Sequence, residues 1–100
     1  MAVSTGLSVS ETPIFNVDAY PNPTNGSIVY VEYYLNQASD VIITLSDLSG
    51  TEIQKLLDKS FAVGMQKETF YLSPQLPRGY YFLNIGTSTG FAAVKLFVCN

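Results

Sequence analysis

The residues from Ile28 to Leu35 alternate so strictly that only one backbone state fits them. Val29, Val31, Tyr33 and Leu35 fall on one face, with Ile28, Tyr30, Glu32 and Tyr34 on the other. Successive side chains of an extended strand point to opposite sides of a sheet, which produces this period of two. A helix would spread the same apolar residues around its axis.

The pattern recurs at intervals of about ten residues, each run closed by Gly, Pro, Asn or Asp. Val41 to Ser46 sets Val41, Ile43 and Leu45 inward against Ile42, Thr44 and Ser46. Asp47-Leu48-Ser49-Gly50 reads as a turn, with Asp first and Gly last. Thr51 to Leu57 is expected to return as a strand. A short helix is its rival, because Ile53, Leu56 and Leu57 also stand at i, i+3 and i+4; the segment is short for a helix. A loop spans Ser60 to Gly64. Gln66 to Leu72 then offers Phe70 and Leu72 on one face until Pro74 and Pro77 stop it.

Tyr80 to Ile85 shares Tyr81, Leu83 and Ile85 inward, and Thr87 to Gly90 forms a hairpin-type loop. Phe91 to Val98 brings Ala92, Val94, Leu96 and Val98 into phase, with Lys95 opposite. Phe15 to Ala19 in front makes about seven strands, so the expected fold is an all-β, Ig-like antiparallel β-sandwich. Residues 1–13 are mostly small and polar and read as a linker. Residues 14–100 form the one domain that a chain of 100 residues allows.

Composition removes most chemistry from such a scaffold. The chain has no histidine, no tryptophan and one cysteine, Cys99, so a His-dependent triad, a His metal site and an internal disulfide are excluded. Eight acids against five bases give a net charge of −3, which argues against tracking nucleic-acid phosphates. The acids, from Glu11 to Glu68, fall singly at strand ends, turns and outward phases, where solvation is the expected role. The serines lack a base to activate them. The domain reads as non-catalytic, with no cofactor and no metal.

Two features remain. Tyr30 and Tyr34, and likewise Tyr80 and Phe82, take the outward phase of their strands. Such rings stack on sugars or anchor a partner; the plainer reading is that they cover a half-wet sheet through cross-strand pairs. Tyr20-Pro21-Asn22-Pro23-Thr24-Asn25-Gly26 forms a stiff corner, since proline fixes φ and Asn-Gly supplies a turn.

The order of these parts is distinctive. The Tyr20-Pro21-Asn22-Pro23 corner with Gly26 precedes the alternations at Val29–Leu35 and Val41–Leu45, then Asp47 and Gly50. Leu72-Ser73, Leu76, Gly79, Tyr81, Leu83 and Ile85 follow, and Lys95-Leu96-Phe97-Val98 closes the series. Over roughly residues 14–100 the chain resembles the C-terminal sorting domain, type A-like, of type IX secretion system cargo in Bacteroidetes. The resemblance implies an address label. Cargo enters the periplasm by its own N-terminal signal, an outer-membrane translocon recognises the domain, and a sortase-like protease removes it as cargo reaches the surface or medium. Gly79, Tyr81, Lys95, Leu96 and Val98 are then the expected translocon-recognition residues. A sequence that stops two residues after its last strand suits a C-terminal signal. A carbohydrate-binding module of a polysaccharide-degrading enzyme, using Tyr30, Tyr34, Tyr80 and Phe82, is the alternative, and a passive Ig-like spacer is another.

Overall fold

Seven strands form where the period-two runs lie: β1 (Ile14–Tyr20), β2 (Ile28–Leu35), β3 (Ser39–Asp47), β4 (Glu52–Phe61), β5 (Gly64–Tyr71), β6 (Gly79–Thr87) and β7 (Phe91–Val98). This computed structural model describes residues 14–25, 27–88 and 90–99, and among them there is no helix. The linker expected in residues 1–13, the turn glycine Gly26, and Thr89 and Asn100 lie outside the described residues.

The strands divide into two antiparallel sheets, β1-β2-β5 and β4-β3-β6-β7. Their inner faces pack into one core, in which Val29, Val31, Tyr33 and Leu35 of β2 meet Val41, Ile43 and Leu45 of β3 and Leu83 and Ile85 of β6. None of these side chains keeps any exposed surface. Each contributes about 1.5–3 kcal/mol of apolar burial, so the inward alternation explains why the sheets face each other. The result is an Ig-like sandwich whose fourth strand joins the sheet of β3, β6 and β7; constant-type immunoglobulin domains place it on the other sheet.

The segment with a rival helical reading is a strand, and it is longer than expected. Ile43 pairs with Leu57 and Thr44 with Lys55, which leaves Leu56 as an extra residue; Leu45 pairs with Gln54 and Ser46 with Glu52, which does the same to Ile53. Two bulges along one edge strand therefore shift the inward phase. Leu56 and Leu57 pack against the core while Ile53 stays exposed, so the helix-like spacing of the three joins two bulge residues to one inward neighbour. The loop expected over Ser60 to Gly64 is only Ala62 and Val63, because Phe61 still pairs with Ser39 and Gly64 already pairs with Leu35.

Glu68 departs from the expected outward placement of the acids. It takes the same inner phase of β5 as Phe70 and is half-buried. Burial pushes its carboxyl above the ordinary value of 4.5, with Lys59 opposing. A charge turned inward on an edge strand blocks sheet-to-sheet pairing there, which explains its survival in an apolar phase.

Two buried tyrosines show opposite economies. Tyr81 stands near the start of β6 and its hydroxyl donates to the Pro77 carbonyl four residues upstream. This is the tyrosine-corner arrangement of Ig-like sandwiches. Tyr33 is fully buried between the sheets and its hydroxyl has no hydrogen-bond partner among the described residues. Burial, followed by the Glu68 charge, raises its phenol far above the ordinary value of 10.0.

Removing each hydroxyl should move stability in opposite directions. Tyr33→Phe discards an unsatisfied buried group and is expected to raise stability by about 1 kcal/mol, whereas Tyr81→Phe strands the Pro77 carbonyl and should lower it by about 1–2 kcal/mol. Each kcal/mol corresponds to roughly 4–8 °C in Tm, so thermal unfolding reads both, and shifts of the same sign contradict the assignment. Glu68 gives a pH signature. Its folded-state value is raised, so the ionised form opposes folding above that value and the penalty vanishes below 4.5. Glu68→Gln should therefore stabilise the domain at neutral pH, with the gain disappearing in acid; a gain independent of pH contradicts this origin.

Candidate functional site

The chain leaves β1 at Tyr20, crosses the side of the sandwich and settles along β7. The peptide bonds preceding Pro21 and Pro23 are both cis. Thr24 forms a parallel bridge with Val98: its amide donates to the Phe97 carbonyl at 2.9 Å, and its carbonyl accepts from the Cys99 amide at 2.9 Å. Two residues earlier the pairing continues through a side chain. The Asn22 carboxamide donates through Nδ2 to the Lys95 carbonyl at 2.9 Å and accepts at Oδ1 from the Phe97 amide at 3.0 Å. A backbone residue opposite Leu96 would make this pair of contacts, so the Asn22 amide stands in for a peptide group in the register that Thr24 continues. Thr24 is fully buried, and its hydroxyl donates to the Ile28 carbonyl at 3.0 Å. The Tyr20–Thr24 corner is thus a cap on the edge of the last strand.

On the outer face of the same sheet, four side chains form a stripe across the β6–β7 seam. Tyr80 pairs with Phe97, with ring centroids 4.8 Å apart. Lys95 Nζ lies 4.7 Å from the Tyr80 centroid, and the Arg78 guanidinium carbon lies 5.9 Å from that of Phe97. Each stacking is worth about 0.5–1 kcal/mol at an exposed site. The ion pairs of the described residues use Lys55 and Lys67 instead, with Asp58 and Glu32. Lys95 and Arg78 thus present charge outward from a domain whose net charge is −3. Gly79 begins this segment at φ +152°; a Cβ there would meet no atom within 4 Å, so backbone conformation rather than space selects glycine.

The five residues expected in recognition divide by exposure. Lys95 is exposed, and Gly79, opposite Val98, is half-buried. Leu96 and Val98 have no exposed surface and Tyr81 keeps 6 %. These three hold the strand and its corner from beneath. In the D-x-x-G turn, Gly50 at φ +92° follows an Asp47 carboxylate that accepts from the Ser49 and Thr51 amides, at 2.9 and 3.0 Å. Those bonds, with the Ser49 hydroxyl foremost, hold the Asp47 carboxyl below its ordinary value.

The four aromatic candidates do not share a surface. Tyr30 and Tyr34 lie on the outside of the β1-β2-β5 sheet, where Tyr30 stacks against Tyr20 at 5.5 Å and the Tyr20 hydroxyl donates to Glu32. Tyr80 and Phe82 lie on the opposite outside. Phe82 and Phe91 flank a shallow groove of about 460 Å³ that also touches Thr44, Ser46, Glu52 and Asn84. Among the described residues no three His, Cys, Asp or Glu side chains converge as a metal site would need. The chemistry on offer is binding: edge backbone groups, stacked cations and rings.

Phe97 and Thr24 stand inside motifs legible in the sequence but received no role of their own there, and Arg78 was not among the expected residues. Phe97 was detectable, since it shares the outward phase of Lys95. The roles of Thr24 and of the Asn22 amide depend on a strand more than seventy residues away, and no local pattern encodes them.

Asn22→Ala removes both side-chain bonds to β7 and is expected to cost about 1–2 kcal/mol. Asn22→Gln should not restore the loss, because an added methylene moves the amide out of register. Denaturant midpoints check both, and a variant as stable as the parent would contradict the bonding described.

A family model described as the secretion system C-terminal sorting domain matches residues 18–99. No curated protein matches the chain. The match takes in every strand from the end of β1 to β7, and the chain belongs to this family.

Proposed function

We propose that this sorting domain is the export signal of a longer secreted protein, read in its folded form by the outer-membrane translocon of the type IX system. The observation that carries the reading is the family match over residues 18–99. In this account the cargo reaches the periplasm by an N-terminal signal of its own. The domain then directs it across the outer membrane to the surface or medium. A sortase-like protease cuts ahead of β1, within the polar residues 4–12. The domain itself performs no catalysis and acts as ligand and substrate.

The recognised surface is β7 with the Gly79–Tyr81 corner. Lys95 makes contact, with Tyr80, Phe97 and Arg78 around it. Leu96, Val98 and Tyr81 serve by fixing the strand, and Gly79 by setting the backbone that leads into it. Support comes from the charge and ring exposure concentrated on this seam.

The test joins the full 100-residue chain to a reporter carrying an N-terminal secretion signal in a type IX-competent host. The reporter should reach the surface or medium only with the domain attached, and retention of the wild-type fusion in the periplasm contradicts the sorting role. Lys95→Ala combined with Arg78→Ala should lower delivery by roughly tenfold with folding intact. Full delivery by that variant removes this face from the recognised surface. A processed terminus inside residues 28–98 contradicts the cleavage placement.

A further inference from the structure

Each sheet of the sandwich has two edges, and a bare edge invites another strand. Three of the four edges carry a guard. β4 is broken by the bulges at Ile53 and Leu56. β5 turns Glu68 inward. β1 has a register irregularity between Phe15 and Asp18. β7 is guarded over one half only, where Asn22 and Thr24 occupy the groups of Lys95, Phe97 and Cys99.

The other half of β7 is plain. Its register with β6 runs unbroken from Val98 to Phe91. The backbone groups of a strand alternate sides, and those of Lys95, Phe97 and Cys99 face away from β6. The N–H and C=O of Ala93 and the N–H of Lys95 therefore point to the open edge, and no bond to them is found among the described residues. Residues 91–94 contain no charge, no proline and no bulge. Ala92 and Val94 lie in the inner phase yet stay half-buried, packed against the core from one side.

We propose that the stretch of β7 from Phe91 to the Lys95 amide, whose outward backbone groups carry no bond among the described residues, seats an extended segment of a partner protein, which adds as a fifth strand to the four-stranded sheet. The inference rests on the sorting reading and names the kind of partner that recognition requires. The Asn22–Thr24 cap shows that the edge accepts an extended segment, and it also sets where the added strand must stop. The incoming segment is apolar at the positions that cover Ala92 and Val94, and bears a carboxylate near Lys95. A second copy of this chain pairing through its own β7 does not meet that description, because β7 contains no acid.

The experiment uses the reporter fusion with two edge variants. Ala93→Pro deletes an N–H that faces away from β6, so the internal ladder is kept. Ala92→Lys places a charge in the inner phase, as Glu68 does on β5. Both should remain folded by thermal unfolding and lower surface delivery by roughly tenfold relative to the wild-type fusion. Undiminished delivery by either folded variant overturns the proposal while leaving the sorting role standing. Retention of the wild-type fusion overturns the sorting role itself. If one variant fails to fold, the other decides. Light scattering of the isolated chain gives a further arm: a dimer abolished by Ala93→Pro assigns the edge to self-association and also overturns the proposal.

Discussion

Two sheets that share no strand are tied together at their sides by carboxamides acting as peptide groups. Asn22 leaves the β1 side and binds the Lys95 carbonyl and Phe97 amide of β7. On the opposite side Gln54, from β4, donates to the Tyr71 carbonyl and accepts from the Ser73 amide, both at 3.3 Å. Each amide reads an acceptor and a donor two residues apart on an edge of the other sheet. The core holds the sheets face to face by non-directional burial, and these contacts supply direction and register at the rims. The Asn22 contact matters more, because it is shorter and is followed at once by the Thr24 bridge.

The capping of β7 links stability to the proposed function. A last strand must be fixed firmly enough to display Lys95 and Tyr80, yet keep some edge free if a partner is to read it by strand addition. The structure meets both needs by bonding the outer edge of residues 95–99 and leaving the outward groups of Ala93 without a bond among the described residues. Leu96 and Val98 anchor the covered half in the core. Ala92 and Val94 anchor the bare half less completely, which makes it the part with apolar surface still to bury.

Much of this architecture was legible in the sequence, for a definite reason. Where every inward position is apolar and every outward one mixed, as in Val29–Leu35 and Tyr81–Ile85, period alone fixes the strand and its buried face. Legibility failed where the period was interrupted or insufficient. The bulges at Ile53 and Leu56 imitated helical spacing. Glu68 sat in an apolar phase because an edge position lets its carboxylate reach water. Alternation marked Tyr30 and Tyr80 as outward, but a sandwich has two outsides, and only strand order separates them. The Tyr20–Gly26 corner was visible as a rigid turn, whereas its partner β7 was not, since nothing local in Asn22 specifies a contact so distant in the chain.

The Asn22 amide, serving as a backbone surrogate for β7, is the contact on which the capped edge most depends. An NMR measurement of the scalar coupling transmitted through the hydrogen bond, between the Phe97 amide nitrogen and the Asn22 side-chain carbonyl carbon, tests this directly. A resolved coupling is expected at that pair, with a matching one from the Asn22 Nδ2 nitrogen to the Lys95 carbonyl carbon. Absence of both, in a domain whose β6–β7 couplings are present, would contradict it.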